Sequence, residues 1–528
     1  MGVSVSHVAT LLCGAASFPV YFVRGEHHLH TKLYFRILIS TVALATLGHS
    51  YLAETTILSA FAEVSEHAGC FLFGLHGARS VYRLWFHPLR KFDGPSGARL
   101  TSFWLSWQVH HGDTFRQIKN LHDQHGSFVR IGPDNLFISH PKTVQTTYGS
   151  GSKCTKGSWY DSTSPMVSLN TMRERKLHDE RRRIWSTASS DKALRGYEQR
   201  LRLYRNRLIS HLFNLFSFDF MGDMAFGKSF GMLEMRHGHW VIQLLNDALK
   251  PLGYAFPAWL FQIVTTIPGV TRDWWRLIDF CAERMDTRLK TKVDVPDIMS
   301  ALSAPYQGKL PMDKDWRVLR GDAQLIVVAD SDTTATTLSA ALFELAKNPE
   351  YIEKLRTELA PYMNDPVNDV LNERVADLDH LNAVIHETLR LHPPVPSLQR
   401  RKTPSEGIFI DGIFIPGNTV VSCPQYVIGR NAAAYEHPGS FIPGRWYSSP
   451  TMVKVKSAWA PFSIGPSGCI GRLLALHIVR TTLARIVTTF DISFAPGEDG
   501  GNFESKARER FTIGFGDLMI SFKPRASV

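Results

Sequence analysis

Cysteine is scarce in this 528-residue chain. The six present, Cys13, Cys70, Cys154, Cys281, Cys423 and Cys469, are widely spaced and never form C-x-x-C. That excludes a disulfide framework and a zinc module. No N-x-[ST] sequon occurs, so a glycosylated lumenal domain is not expected. No G-x-G-x-x-G fingerprint follows a strand-like run, which leaves the chain without a nicotinamide site of its own. Internal repeats and low-complexity tracts are also missing. Charge of one sign is in mild excess only: 59 Lys plus Arg against 48 Asp plus Glu gives +11. Spread over this length, that is a weak nucleic-acid signal, and a face toward anionic lipid or an acidic protein explains it as well. A reducing, cytosol-facing catalytic region is the simplest reading.

Apolar sequence, by contrast, is concentrated at the N-terminus. His7 to Val23 and Ile37 to Ala53 are apolar enough for marginal membrane spans, while Thr56 to Leu75 is weakened by Glu63, Glu66 and His67. Residues 2–6 carry no charge, which argues against a cleaved signal peptide. Arg24, Lys32 and Arg36 separate the first two stretches, Glu54 alone separates the second from the third, and Arg79, Arg83, Arg90 and Lys91 follow. The positive-inside rule then predicts a lumenal N-terminus, with the first loop and the main body cytosolic. The expected organisation is an anchor of two or three spans over 1–78, a basic Pro-Gly hinge over 79–95 and one large unit over 96–528. That unit reads as mostly helical with short strands.

Five stretches of the large unit carry chemistry. In "FSIGPSGCIG" (Phe462 to Gly471), Cys469 stands among Gly465, Gly468 and Gly471, just before an apolar-periodic helix from Arg472 to Val487. Glycines allow a tight backbone, and the helix N-terminus favours a thiolate. Packing residue, nucleophile and metal ligand all remain open; a G-x-S-x-G elbow does not, because its fifth position is Cys469. "LIVVADSDTTATTLSAALFELA" sets Asp330, Ser331, Asp332, Thr333 and Thr334 inside an apolar helix. A solvated turn is the bland alternative to an acid–alcohol pair for proton delivery. "HLNAVIHETLRLHPPVP" places Glu387 and Arg390 three apart on a helix face, a pattern common in surface ion pairs. "FIPGRW" offers Arg445 in what is otherwise an ordinary loop. In "RERKLHDERRRIW", His178 and Arg182 at i and i+4 point together at an anionic group, or belong to a solvated face.

In this order the motifs resemble the cytochrome P-450 family of heme-thiolate monooxygenases. "FSFDFMGDMAFGKSFGML" and the multi-span N-terminus make the chain most similar to membrane-bound fungal enzymes of secondary metabolism, the tryprostatin hydroxylase type among them. The resemblance covers nearly the whole chain and implies a mainly α fold with small β-sheets, a single heme domain behind N-terminal transmembrane helices. It implies heme b with Cys469 as the thiolate ligand to iron, Phe462 beside the sulfur, and Gly465 and Gly471 shaping the loop. It further implies a buried ion-pair core of Glu387, Arg390 and Arg445. His178, Arg182 and Arg401 would meet heme propionates, and Asp332 with Thr333 would help protonate bound dioxygen.

Two positions depart from the family pattern. Asp330 replaces a glycine beside the oxygen pocket and is expected to shape substrate choice. Ser467 replaces a propionate arginine. Electrons are expected from NADPH through a flavoprotein reductase in the same membrane, with cytochrome b5 as a second donor; Arg472 and its basic neighbours are candidates for the docking face. The substrate class is an apolar small molecule: a terpenoid, polyketide or indole alkaloid intermediate. Two other readings stay open at this point: a reductase-independent heme-thiolate isomerase or dehydratase, and a non-catalytic heme-binding membrane protein.

Overall fold

The computed structural model describes residues 5–164, 166–208, 213–235, 240–267, 269–291, 296–306, 313–362, 370–397 and 399–525. Three helices come first: Val5–Ser17, Thr31–Leu52 and Ile57–Val81. Two segments, Val5–Phe22 and His27–Leu52, are long and apolar enough to cross a membrane. The third stretch, doubtful by composition, is a 25-residue helix, about 37 Å long at 1.5 Å per residue. It runs in the same direction as the first: His7 stacks on His67, Gly14 meets Phe71 and Phe18 meets Tyr82. Small residues permit the close approach. A Cβ added at Gly14 would sit 2.0 Å from the Phe71 carbonyl oxygen, and one at Gly74 would sit 2.0 Å from that of Leu11. The second helix runs back against the third, with His49 on Glu63 at 3.0 Å near one end and Tyr21 on Tyr34 at the other. Leu12, Leu44 and Phe73 on these helices point outward, largely exposed.

Residues 82–95, read from the sequence as part of a hinge, are packed rather than loose. Leu89 and Phe92 are buried, Arg130 N donates to Asp93 O at 2.7 Å, and Gly94 has φ +152°. A Cβ at Gly94 would lie 2.2 Å from the Arg130 carbonyl oxygen, so only glycine lets the chain enter the body here.

The body is built round one 35-residue helix, Asp313–Lys347. Its polar stretch at 330–334 does not interrupt it: Thr333 Oγ1 returns to the Ala329 carbonyl at 2.8 Å and keeps the local hydrogen bonding satisfied. Buried residues on this helix serve two cores. Leu319, Ala323, Ile326 and Val327 pack with Phe216, Phe220 and Leu277; Leu338, Leu342 and Leu345 pack with Val384 and Leu483. Each such buried Leu, Ile, Val or Phe side chain contributes roughly 1.5–3 kcal/mol. The helices Asp379–Leu391 and Arg472–Thr489 lie in the second core. A five-stranded sheet closes one side, in the order Phe128–Arg130, Asn135–Ile138, Val420–Ser422, Arg401–Lys402, Thr155–Lys156, with one parallel pair between the second and third. A separate hairpin pairs Arg508–Arg510 with Thr512–Gly514.

Candidate active site

The Cys469 loop is a tight turn whose backbone bonds to itself. Gly468 N donates to Gly465 O at 3.0 Å, and Cys469 N donates to Phe462 O at 2.7 Å. Gly465 takes φ +66°, and a Cβ there would meet the Tyr148 carbonyl oxygen at 2.3 Å. The helix Arg472–Thr489 then starts at once, with Ala475 N on Gly471 O at 2.9 Å. This geometry turns Cys469 outward, into the wall of a large internal cavity. Cys281 and Cys423 are the contrast. Both are buried, and burial pushes the Cys281 thiol up to about 12 and the Cys423 thiol well above its ordinary range. A packing role for Cys469 is therefore not what the fold gives it.

The cavity is largely apolar, and its charge is one-sided. Lys156, Arg182 and Arg401 line it, with His178 beside them, and among the described residues no carboxylate does. Lys156 and Arg401 face each other as paired residues of neighbouring strands. Lys156 Nζ donates to the carbonyls of Leu169 and Asn170 at 3.0 and 2.7 Å, and burial, with Arg401 and Arg182 nearby, pulls its ammonium down to about 7. Arg401 Nη1 donates to the Tyr160 hydroxyl at 2.9 Å, and Arg182 Nη1 to the Gly468 carbonyl at 2.7 Å, beside the cysteine. Burial lowers the His178 imidazole, keeping it toward the neutral form. With three cations and, among the described residues, no carboxylate in its lining, this edge of the cavity suits an anion; Asp179, which bonds His178 at 3.0 Å, lies outside the lining. A thiol on the wall, a cationic edge and apolar surfaces fit a flat apolar macrocycle carrying carboxylates, which is the chemistry of heme. Ser467 lies in the same wall and brings no charge.

The helix Arg175–Ala188 presents these groups because of a buried carboxylate on the long helix. Asp322, fully buried, accepts from Arg181 Nε at 2.7 Å, Trp185 Nε1 at 2.9 Å and Leu169 N at 2.8 Å. Holding Arg181 and Trp185 fixes the rotation that puts His178 and Arg182 at the cavity. Neither Asp322 nor Lys156 was found from the sequence. A lone lysine or aspartate carries no spacing signal, and only the strand pairing and helix packing bring them to the site.

Glu387, Arg390 and Arg445 come together with no exposure to solvent. Arg390 donates to both Glu387 oxygens at 2.8 Å, Arg445 Nε donates at 2.9 Å, and Trp446 Nε1 and Ile442 N add bonds of 2.9 and 2.8 Å. The second positive charge is absorbed by carbonyls: Arg445 donates to that of Glu436 at 2.7 Å and Arg390 to that of Pro438 at 2.6 Å. From this cluster Trp446 packs on Trp459, whose Nε1 donates to the His386 carbonyl just ahead of the cysteine loop.

On the long helix Thr333 lines the cavity and Asp332 does not. The Asp332 carboxylate is engaged by the Thr512 hydroxyl, and burial pushes its carboxyl up. The side chain of Asp330 lies outside the described residues. Trp159 and Phe511 stack in the wall with centroids 5.3 Å apart at 11°.

Among solved structures, the fold is similar to that of the cytochrome P450DA heme domain, with a TM-score of 0.66 at 17% identity over 79% of this chain and 95% of that one. Among curated proteins, the chain is 42% identical to the cytochrome P450 monooxygenase notG' of Aspergillus versicolor, over 97% of this chain and 96% of that one. It is also 42% identical to tryprostatin B 6-hydroxylase of Aspergillus fumigatus, over 96% and 94%. The cytochrome P450 family model matches residues 95–514. That family implies a heme-thiolate cofactor, a redox partner that supplies electrons, and a small-molecule substrate. A thiol and a cationic edge in the wall of one apolar cavity, in this fold and with these relatives, place the chain in the cytochrome P450 family, as a heme-thiolate monooxygenase.

Proposed function

We propose that the protein hydroxylates or epoxidises an apolar secondary metabolite of terpenoid, polyketide or indole alkaloid type, taking electrons from NADPH through a membrane-anchored flavoprotein reductase. Cytochrome b5 is the second candidate donor. The observation that carries this reading is the set of Lys156, Arg182 and Arg401 in a cavity wall that also holds Cys469 and no described carboxylate. Cys469 would hold heme b as a thiolate, with Phe462, Gly465 and Gly471 shaping its loop. Lys156, His178, Arg182 and Arg401 would meet the propionates. When bound, the heme supplies the activation of dioxygen. The chain's own contribution is to exclude water with apolar walls and to deliver protons from the side of Thr333 and Asp332. Glu387, Arg390 and Arg445 serve as the structural core behind the cysteine loop. The stacked Trp159 and Phe511 offer a flat aromatic wall suited to a rigid, ring-containing substrate.

The parallel first and third helices and the returning second favour a three-span anchor in the endoplasmic reticulum, with the N-terminus lumenal and residues 96–528 in the cytosol. Exposed Leu12, Leu44 and Phe73 would then face lipid. Exposed Arg472, beside the cysteine loop, is a candidate contact for the reductase. The test is the absorption spectrum of the reduced, carbon-monoxide-bound protein in membranes beside Cys469→Ala. A strongly red-shifted Soret band lost in the variant is expected; a band indifferent to Cys469 would overturn the assignment.

A further inference from the structure

The loop joining the first two helices is tied to the catalytic body. Both oxygens of Glu26 accept from Arg173, Nη1 to Oε2 and Nη2 to Oε1, each at 2.8 Å, and Lys402 Nζ adds a bond of 3.0 Å. Arg173 also donates through Nε to the Lys156 carbonyl at 3.1 Å and through Nη1 to Asp161. His28 Nε2 meets the same Asp161 oxygen at 2.8 Å. Two anchor residues thus share a network with four residues of the body, Lys156 among them through its carbonyl. Glu26, His28 and Asp161 come close enough to hold a metal ion. The cluster needs none, because Arg173 and Lys402 already balance both carboxylates. Arg173 holds the Glu26 carboxyl down at about 2, so the contact persists over the whole working pH range.

What the network touches is the cavity wall. Asp161 ends the short helix Ser158–Asp161, which carries Trp159 and Tyr160. Trp159 stacks on Phe511, the single residue between the two hairpin strands, held at φ +80°. An aromatic residue in that left-handed region is strained, and it persists only where its surroundings over-determine it. Lys156, whose carbonyl Arg173 holds, lies at the cavity's cationic edge. The path from anchor loop to Trp159, Phe511 and Lys156 is therefore continuous.

We propose that Glu26 is a positioning residue for the substrate cavity: the membrane anchor's first loop latches Arg173 and Lys402, and thereby fixes the Trp159–Phe511 wall against which the apolar substrate packs. This rests on the apolar cavity being the substrate site. The anchor's first loop then steadies the binding site as well as tethering it, acting through Arg173 and Asp161 rather than by lining the cavity.

The test uses the full-length, heme-loaded protein in phosphatidylcholine nanodiscs, with amide hydrogen exchange over residues 158–164 and titration of 1-phenylimidazole followed by the Soret shift. Glu26→Gln should speed exchange there about tenfold and weaken 1-phenylimidazole several-fold, with the carbon monoxide band unchanged. Glu26→Asp should fall between the two, and Glu66→Gln, at the far end of the anchor, should change neither reading. Unchanged exchange in Glu26→Gln, or an equal effect of Glu66→Gln, overturns the proposal. If Glu26→Gln does not fold, Lys402→Met should speed the same exchange, and its failure to do so is equally decisive. A protein with no carbon monoxide band whose exchange still answers to Glu26 would sink the heme assignment and leave the latch standing.

Discussion

Asp332 and Thr512 meet across 180 residues of chain, the threonine hydroxyl donating to Oδ2 of the aspartate. The acid of the acid–alcohol pair is thus held by the hairpin that also carries Phe511. Burial raises the Asp332 carboxyl, while the Thr512 bond and nearby Arg510 pull it back. A raised carboxyl favours the folded state while protonated. That contribution is full below the ordinary carboxylate range and is lost as pH rises through the raised value. Thr512→Val deletes the donor and should move the carboxyl further up. The pH optimum of product formed per electron pair consumed should shift upward, and turnover should fall about tenfold. Thr512→Ser should restore both. Steady-state product and cofactor assays across pH decide it, and an unshifted optimum in Thr512→Val would remove Thr512 from proton handling.

Glu387→Gln should be among the most damaging single substitutions in the chain. It leaves Arg390 and Arg445 buried without their shared carboxylate, a loss of about 3–5 kcal/mol. Recovered heme-loaded protein should drop sharply and the denaturant midpoint should fall. A variant of near-normal midpoint would mean that the surrounding carbonyls suffice.

Lys156 gives the cationic edge a pH signature. With its ammonium lowered to about 7 by burial, it disfavours the folded, unloaded protein once the pH falls below the range where the unfolded chain's lysines ionise. Apo-protein stability should therefore decline as pH drops from about 10 toward 7, and Lys156→Met should flatten that slope. Bound carboxylates would reverse the shift, so the heme-loaded protein should lack the slope, and Lys156→Met should release heme about tenfold faster. Thermal melts of both forms across pH, with heme transfer to an acceptor protein, measure the two effects.

Gly465→Ala probes the cysteine loop without touching the sulfur. Its φ of +66° and the Tyr148 carbonyl 2.3 Å from any added Cβ force the loop to shift. The carbon monoxide Soret band should be lost or displaced to that of a non-thiolate heme, while the helix content by circular dichroism stays unchanged.

What the sequence reveals follows from where the signal is local. Cys469 with its glycines, Glu387 with Arg390, and His178 with Arg182 are each contained in one turn or one helix, so spacing alone brings them out. Arg445 becomes meaningful only in their company. Lys156, Asp322 and Thr512 are different. Each reaches the site through a partner 100 or more residues away: Arg401 across a strand pair, Arg181 across two helices, Asp332 across a hairpin. The third N-terminal apolar stretch shows the same limit. Glu63 and Glu66 weaken its hydropathy, yet His49 and His7 lie against them in the folded anchor.

The position of Glu26 bears on how such an enzyme is prepared. A recombinant form cut within residues 79–95 to gain solubility would discard the whole anchor and with it Glu26 and His28. Arg173 and Lys402 would be left at the surface beside Asp161, sharing one carboxylate where the full chain supplies two. Substrate profiles and inhibitor screens run on the trimmed protein would then sample a cavity wall with a different electrostatic neighbour from the one the full chain presents.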